Sequence, residues 1–87
     1  MESIKDEEII KIINLYNDDK NNIFDEDDIL QITKIIKNFE SKYIISNTRD
    51  SNFIIYKSLY IFEGCKYRNV SFKSMISEFY DQLFILL

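Results

Sequence analysis

The 87-residue chain lacks proline and histidine entirely and contains a single glycine. Many-stranded sheets rely on tight turns that contain glycine, so this scarcity favours helices joined by polar connections. Because histidine is absent, the one cysteine, Cys65, has no general base of the usual kind. Acidic pairs such as Asp27 and Asp28 lie in a charged, solvated run, which is not typical of a catalytic pair. The sequence therefore predicts an all-α protein that is not an enzyme.

Basic clusters, paired cysteines and long apolar runs are also missing. A net charge of -4 without a Lys/Arg cluster argues against nucleic-acid binding and favours a basic protein partner. One cysteine cannot form an internal disulfide, and no apolar run of signal-peptide length follows Met1, so we expect a cytoplasmic protein. The apolar end at residues 83–87 is far shorter than the roughly 20 residues that span a bilayer, so we expect no membrane span.

Isoleucine-rich stripes are the most prominent feature that the chain does have. Its 46% hydrophobic content is enough for one domain with a modest core over residues 1–87. Apolar residues recur at helical spacing in four segments, which predicts four main helices. Candidate N-caps of these helices are Asp6, Asp25 or a neighbouring acid, Ser71 and either Ser51 or Asn52. The predicted organisation is a first helix-loop-helix unit over residues 1–42, a polar linker over 43–52 and a second, degenerate helix-loop-helix unit over 53–87.

Residues 17–28 form a twelve-residue stretch that is rich in oxygen ligands and lies between the first two predicted helices. A calcium loop of the EF-hand type places side-chain oxygens at its positions 1, 3, 5 and 9, a backbone carbonyl at 7 and a carboxylate at 12. Asn22 falls at position 6, where a left-handed backbone is needed, and Phe24 falls at the apolar position 8. The candidate metal ligands are Asn17, Asp19, Asn21, Ile23 through its carbonyl, Asp25 and Asp28.

Three positions of this stretch depart from a strong calcium loop. Asn17 replaces the usual aspartate, so one ligand is neutral, and Asp28 is one methylene shorter than the usual glutamate. Asn22 replaces glycine at lower cost, because asparagine tolerates left-handed geometry better than most residues. The sequence therefore predicts weak binding of Ca²⁺ or Mg²⁺. The alternative is an acidic, solvated loop that caps the following helix and binds no metal.

The same twelve-position pattern recurs over residues 63–74, directly after a third helix that we expect to end at Phe62. Val70 then falls at position 8, and a bridge of at most two residues per strand is expected between Phe24 and Val70. The ligand positions of this second loop cannot neutralise a divalent hard cation, so we expect it to be free of metal. These positions hold Glu63, Cys65, Tyr67, Ser71 and Ser74.

With these two loops the chain resembles the EF-hand superfamily, in particular a single EF-hand pair such as one lobe of calmodulin or a single-lobe myosin light chain. The resemblance covers nearly the whole chain. It implies that two helix-loop-helix units pack face to face and that their remaining apolar surface grips an amphipathic helix. Each residue that the resemblance places in this groove could equally be an ordinary core residue. The implied partner-binding residues are Ile32, Ile36, Met75, Phe79 and Leu83.

The function expected from this resemblance is a non-catalytic, light-chain-like module that grips a basic amphipathic helix of a larger protein, largely without calcium. An alternative is a small acidic helical immunity protein that masks a basic nuclease toxin, and another is a viral helical-bundle interaction protein. The placement of the acidic residues separates the first two hypotheses, because they should converge on one point in a light chain and spread over a face in an inhibitor. The residues concerned are Asp18, Asp19, Asp25, Asp27 and Asp28.

Overall fold

The computed structural model describes residues 4–42 and 48–86, with side chains described over 4–42 and 51–83. It confirms the all-α prediction, and within these ranges there is no strand and no bridge between Phe24 and Val70. None of the helices in the described ranges has the length and apolar character needed to cross a membrane. The elements are α1 (Asp6–Asp19), α2 (Glu26–Lys42), α3 (Thr48–Arg68), a short 3₁₀ helix (Lys73–Met75) and α4 (Ile76–Leu86).

The long helix α3 lies at the centre, where it packs against α1, α2 and α4. The stripes predicted from the sequence all contribute to one hydrophobic core. Three fully buried phenylalanines join the helices, because Phe79 of α4 lies 5.0 Å from Phe62 of α3 and 5.9 Å from Phe39 of α2 between ring centroids. Burying one such side chain contributes about 1.5–3 kcal/mol. The other large side chains that are fully buried are Ile9, Ile13, Ile32, Ile36, Ile54, Ile55, Leu59, Cys65 and Leu83.

Of the predicted helix caps, Asp25 is confirmed by the structure, whereas Asp6 and the predicted cap of the third helix are not. Asp25 accepts the backbone N–H of Asp28 at 2.8 Å, and Asp28 accepts that of Asp25 at 3.0 Å, a reciprocal cap that confirms Asp25 as the start of α2. Ser71 lies directly before Phe72, the N-cap of the 3₁₀ helix, and its Oγ accepts the N–H of Ser74 at 3.2 Å, so it contributes to this helix start without being the N-cap itself. Asp6 is not a cap but the first residue of α1, where its charge suits the positive end of the helix dipole.

Both predicted boundaries of the third helix are wrong. The helix begins at Thr48, so residues 48–52 of the predicted linker are helical and the predicted cap at Ser51 or Asn52 does not exist; residues 43–47 lie outside the described ranges. The helix also continues past Phe62 to Arg68, so half of the predicted second loop is helical. The physical reason is that Ile61, Phe62 and Cys65 continue the buried stripe, and burial outweighs the weak helix propensity of the single glycine.

Both α1 and α3 end just before an asparagine with a left-handed backbone conformation. Asn21 and Asn69 each have a φ of 57°, the left-handed conformation that stops a helix. The N–H of the next residue then bonds back to the helix, from Asn22 to Asn17 O at 2.8 Å and from Val70 to Cys65 O at 3.0 Å. The left-handed backbone predicted at Asn22 is confirmed, with a φ of 54°.

Candidate functional site

The turn between α1 and α2 carries the predicted metal ligands, and Asn17 holds this turn together. Asn17 is only 5% exposed. Its Nδ2 donates to the carbonyl of Phe24 at 2.9 Å, and its Oδ1 accepts the N–H of Phe24 at 3.0 Å. Both backbone groups of Phe24, which an EF-hand pair would use for the bridge to its second loop, are therefore bonded to one side chain.

Asp28, the predicted carboxylate at position 12, already has a cationic partner. Its Oδ2 lies 2.7 Å from Nζ of Lys66 on α3, and this hydrogen bond raises the pKa of Lys66. A metal ion at the turn would have to displace Lys66 from Asp28 and the Phe24 N–H from Asn17. In the described ranges no three His, Cys, Asp or Glu side chains come together in a way that could hold a metal. Weak Ca²⁺ or Mg²⁺ binding stays a prediction.

Of the other predicted ligands, Asp25 contacts Asp28 through the reciprocal cap of α2. Asp19, Asn21 and Asp25 are exposed, and Ile23 is half-buried beside the core. Asp18 and Asp27 are exposed as well, so the acidic side chains that were expected to separate a light chain from an inhibitor do not meet at one point. Of these acidic residues only Asp28 is buried. Its carboxylate forms the ion pair with Lys66 and accepts a hydrogen bond in the cap of α2.

The partner-binding groove implied by the EF-hand resemblance would lie between α2 and α4, and in the structure it is closed. Four of its five predicted residues have no exposed surface, and only Met75 is partly accessible. A partner could contact the other four only if α2 and α4 moved apart, which would expose the shared core. The four buried residues are Ile32, Ile36, Phe79 and Leu83.

A surface that sequence analysis missed runs along the outer face of α3. Phe53, Tyr56, Tyr60 and Tyr67 follow one another at spacings of three, four and seven residues, which places them on one side of a helix. Their side chains are 55%, 47%, 67% and 72% exposed, respectively. We call these four residues together with Gly64 the aromatic strip. Its signal in the sequence is a second aromatic stripe on the same helix, opposite the stripe of Ile55, Leu59 and Phe62 that forms the core.

Gly64 lies within the strip between Tyr60 and Tyr67, four residues after one and three before the other. A Cβ atom built at Gly64 has no heavy atom within 4 Å, so the packing of the domain does not require glycine there. Glycine inside a helix costs about 1 kcal/mol relative to alanine. The result is a notch in the strip where an approaching molecule reaches the backbone.

One edge of the strip is bordered by α1. The hydroxyl of Tyr16 donates a hydrogen bond to Glu63, and Nζ of Lys20 lies 3.9 Å from the same carboxylate. Burial, together with the hydrogen bond and the negative charge of Glu63, raises the pKa of Tyr16 above its ordinary value of 10.0. Glu63 is only 8% exposed, and the Tyr16 hydroxyl and the Lys20 ammonium compensate its charge inside the domain.

The opposite edge of the strip carries two cations. Nζ of Lys57 lies 5.2 Å from the ring centroid of Tyr60, a cation–π contact, and Nε of Arg68 donates to the carbonyl of Gly64 at 3.3 Å. Lys57 and Arg68 are 11 residues apart, about three helical turns, so they lie on the same side of α3.

The only thiol of the chain faces the core, where burial raises the pKa of Cys65 and keeps it protonated.

The burial of Tyr16 and its hydrogen bond to Glu63 predict a loss of stability in alkali. An unfolded tyrosine loses its proton near the ordinary pKa of 10.0, whereas Tyr16 keeps it in the folded state. The folded chain then binds more protons than the unfolded chain, so the free energy of unfolding falls as the pH rises above about 10. We expect Tyr16→Phe to flatten this fall, measured by urea unfolding at about pH 9 and pH 11. The control is Tyr67→Phe on the exposed strip, and an equal effect of both variants would contradict the prediction.

Comparisons with protein-family models, with curated proteins and with solved structures found no match to the chain. The resemblance to an EF-hand pair therefore stays a prediction.

Proposed function

We propose that this protein is a non-catalytic binding domain that holds an amphipathic helix of a larger protein against the aromatic strip of α3. The observation that carries the proposal is the exposure of four large aromatic side chains in one line. At about 200 Å² for each side chain, their exposed fractions amount to about 500 Å². The largest apolar patch of an ordinary monomer is about 300–600 Å² and is often functional. Tyrosine and phenylalanine are also the residues that interfaces favour.

A helix fits this surface because of its length and spacing. The strip extends from Phe53 to Tyr67, about 21 Å along the axis of α3, which corresponds to about four turns of a bound helix. Side chains spaced by three and four residues form a ridge that meshes with the grooves of a second helix. The strip is separate from the metal-ligand candidates of the first turn, so binding is expected to be largely independent of calcium. The proposal retains the non-catalytic, helix-binding domain expected from the sequence. Its binding surface is the aromatic strip of α3 and not the closed groove between α2 and α4.

The test is a selection from a displayed library of helical peptides, carried out against the wild-type protein and two variants. Tyr60→Lys places a charge in the middle of the strip, and the matched control Leu30→Lys changes a comparably exposed residue of α2, which is 57% exposed. Because both positions are exposed, both variants should fold, which thermal melting by circular dichroism checks. We expect selected peptides to bind the wild type and Leu30→Lys and to lose at least about tenfold in affinity for Tyr60→Lys. Peptides that bind all three proteins equally would contradict the proposal.

The exposed acids of the first turn favour a second candidate, an acidic inhibitor of a basic protein. Asp18, Asp19, Asp25 and Asp27 are all exposed in the structure. Such a surface suits a basic partner through long-range attraction, which acts mainly on the association rate. The two candidates respond oppositely to substitution. A partner that is lost with Asp18→Lys and Asp27→Lys but retained with Tyr60→Lys would replace the strip with the acidic turn as the binding surface.

A further inference from the structure

We propose that the helix held by the aromatic strip is acidic along one edge, so that its carboxylates meet Lys57 and Arg68 while its apolar side chains cover the tyrosines. This inference rests on the proposed function and names the partner's chemistry. It differs from the expectation of a basic partner, which follows from the net charge of -4 of the whole chain. A docked helix responds to the charges within about 10 Å, because salt screens those farther away.

The solvent-accessible charges that residues 51–68 of α3 place beside the strip are positive. Among residues 51–68 of α3 the only acidic side chain is Glu63, which is buried and held by Tyr16 and Lys20. Lys66, a third cation of this helix, is turned away toward Asp28 on α2. Lys57 and Arg68 remain beside the strip, and the contact of Lys57 with Tyr60 places its charge directly at the aromatic surface. Carboxylates on the bound helix complement this edge, whereas lysines would be repelled.

The notch at Gly64 specifies a second feature of the partner. Tyr60 and Tyr67 border the notch along the helix, and a Cβ atom there would meet open space. A large apolar side chain of the partner, such as leucine or phenylalanine, can therefore pack between the two tyrosines against the backbone. Anchors of this kind near the centre of an interface provide most of the binding energy.

A second copy of the chain fits the strip less well. Two α3 helices packed antiparallel about a two-fold axis bring the same edge of each helix together. Lys57 and Arg68 would then face the same two cations of the other copy, without carboxylates between them. Repulsion between like charges opposes this arrangement, so we assign the strip to a different, acidic chain.

The experiment uses two synthetic helical peptides of about 18 residues with the same leucine and phenylalanine stripe. One peptide carries glutamate along one edge of the stripe, and the other carries lysine at the same positions. Affinities are measured by fluorescence anisotropy at low and physiological salt for the wild type, for Lys57→Glu with Arg68→Glu, and for the control Lys11→Glu with Lys34→Glu. The control pair makes the same change in net charge at exposed positions of α1 and α2.

We expect the wild type and the control to bind the glutamate peptide about tenfold more tightly than the lysine peptide at low salt, and the Lys57/Arg68 variant to reverse this preference. Gly64→Ala is expected to raise the melting temperature and to weaken the glutamate peptide by about threefold or more, since its methyl group occupies the notch. Sedimentation velocity at high protein concentration shows whether the chain self-associates instead.

The outcomes separate this inference from the function on which it rests. If the lysine peptide binds the wild type more tightly and Tyr60→Lys abolishes that binding, the acidic-edge inference is overturned and the proposed function stands. If Tyr60→Lys changes the binding of neither peptide, the acidic-edge inference and the proposed function are both overturned. A dimer that Tyr60→Lys dissociates would make a second copy the occupant and overturn the inference. Equal binding of the glutamate peptide to Gly64→Ala and to the wild type would show that the partner does not pack into the notch at Gly64.

Discussion

Replacing Phe79 by alanine is expected to lower the free energy of unfolding by about 3–5 kcal/mol. The Phe79 side chain has no exposed surface, and its ring centroid lies 5.0 Å from that of Phe62 and 5.9 Å from that of Phe39. Truncation leaves a cavity where three helices meet, which neighbouring side chains fill only in part. A domain of this size is stable by roughly 4–13 kcal/mol, so the loss is a large share of the total. Guanidinium unfolding followed by circular dichroism measures it.

Phe53→Ala is the matched control, because it removes the same atoms from a phenylalanine that is 55% exposed. We expect that variant to stay within about 0.5 kcal/mol of the wild type. A loss below about 1 kcal/mol for Phe79→Ala would mean that α4 does not pack on Phe62 and Phe39 as described. The comparison also bears on the groove expected from the sequence. Weaker partner binding by Phe79→Ala would report a damaged core and not a lost contact, whereas Tyr60→Lys tests a contact at an exposed position.

Periodic burial made the helices predictable from the sequence. The stripes of Ile9 with Ile13, and of Ile32 with Ile36, follow the helical period without interruption, and both pairs are fully buried in the structure. An acidic cap of α2 was readable because an acid directly before a helical stripe favours a helix start, and the structure selects Asp25 among its acidic neighbours. These features depend on neighbours in the sequence, which is why the sequence was sufficient.

The end of α3 was not predictable in the same way. Polar residues at Glu63, Lys66 and Arg68 match a loop as well as they match the outer side of a helix, and the recurring twelve-position pattern favoured the loop. Their roles are decided by contacts across the fold, namely those of Glu63 with Tyr16 on α1 and of Lys66 with Asp28 on α2. No local pattern encodes such pairs. The aromatic strip was missed for a related reason, since a helix with apolar residues on two sides gives no single stripe to follow.

The contact of Asn17 with Phe24 is another long-range feature, and it leads to the second large expected effect. Asn17→Ala should lower the free energy of unfolding by about 2–4 kcal/mol, because it leaves both the N–H and the C=O of Phe24 without their partner at a buried position. Urea unfolding measures the loss. Asn14→Ala is the matched control, since Asn14 is an exposed asparagine one turn earlier on α1. Equal stabilities of the two variants would show that the turn does not depend on Asn17.

Asn17→Asp then separates the two roles that this position can have. An aspartate keeps the acceptor for the Phe24 N–H but sets a carboxylate against the Phe24 carbonyl, where the amide donated a hydrogen bond at 2.9 Å. If Asn17 only braces the turn, the variant loses about 1–3 kcal/mol and millimolar calcium does not restore it. If the turn is a weakened EF-hand loop, Asn17→Asp supplies the missing anionic ligand, and calcium stabilises the variant more than the wild type because it binds the folded state. Unfolding of both proteins with calcium and with a chelator distinguishes the outcomes, and we expect the first because Lys66 already neutralises Asp28.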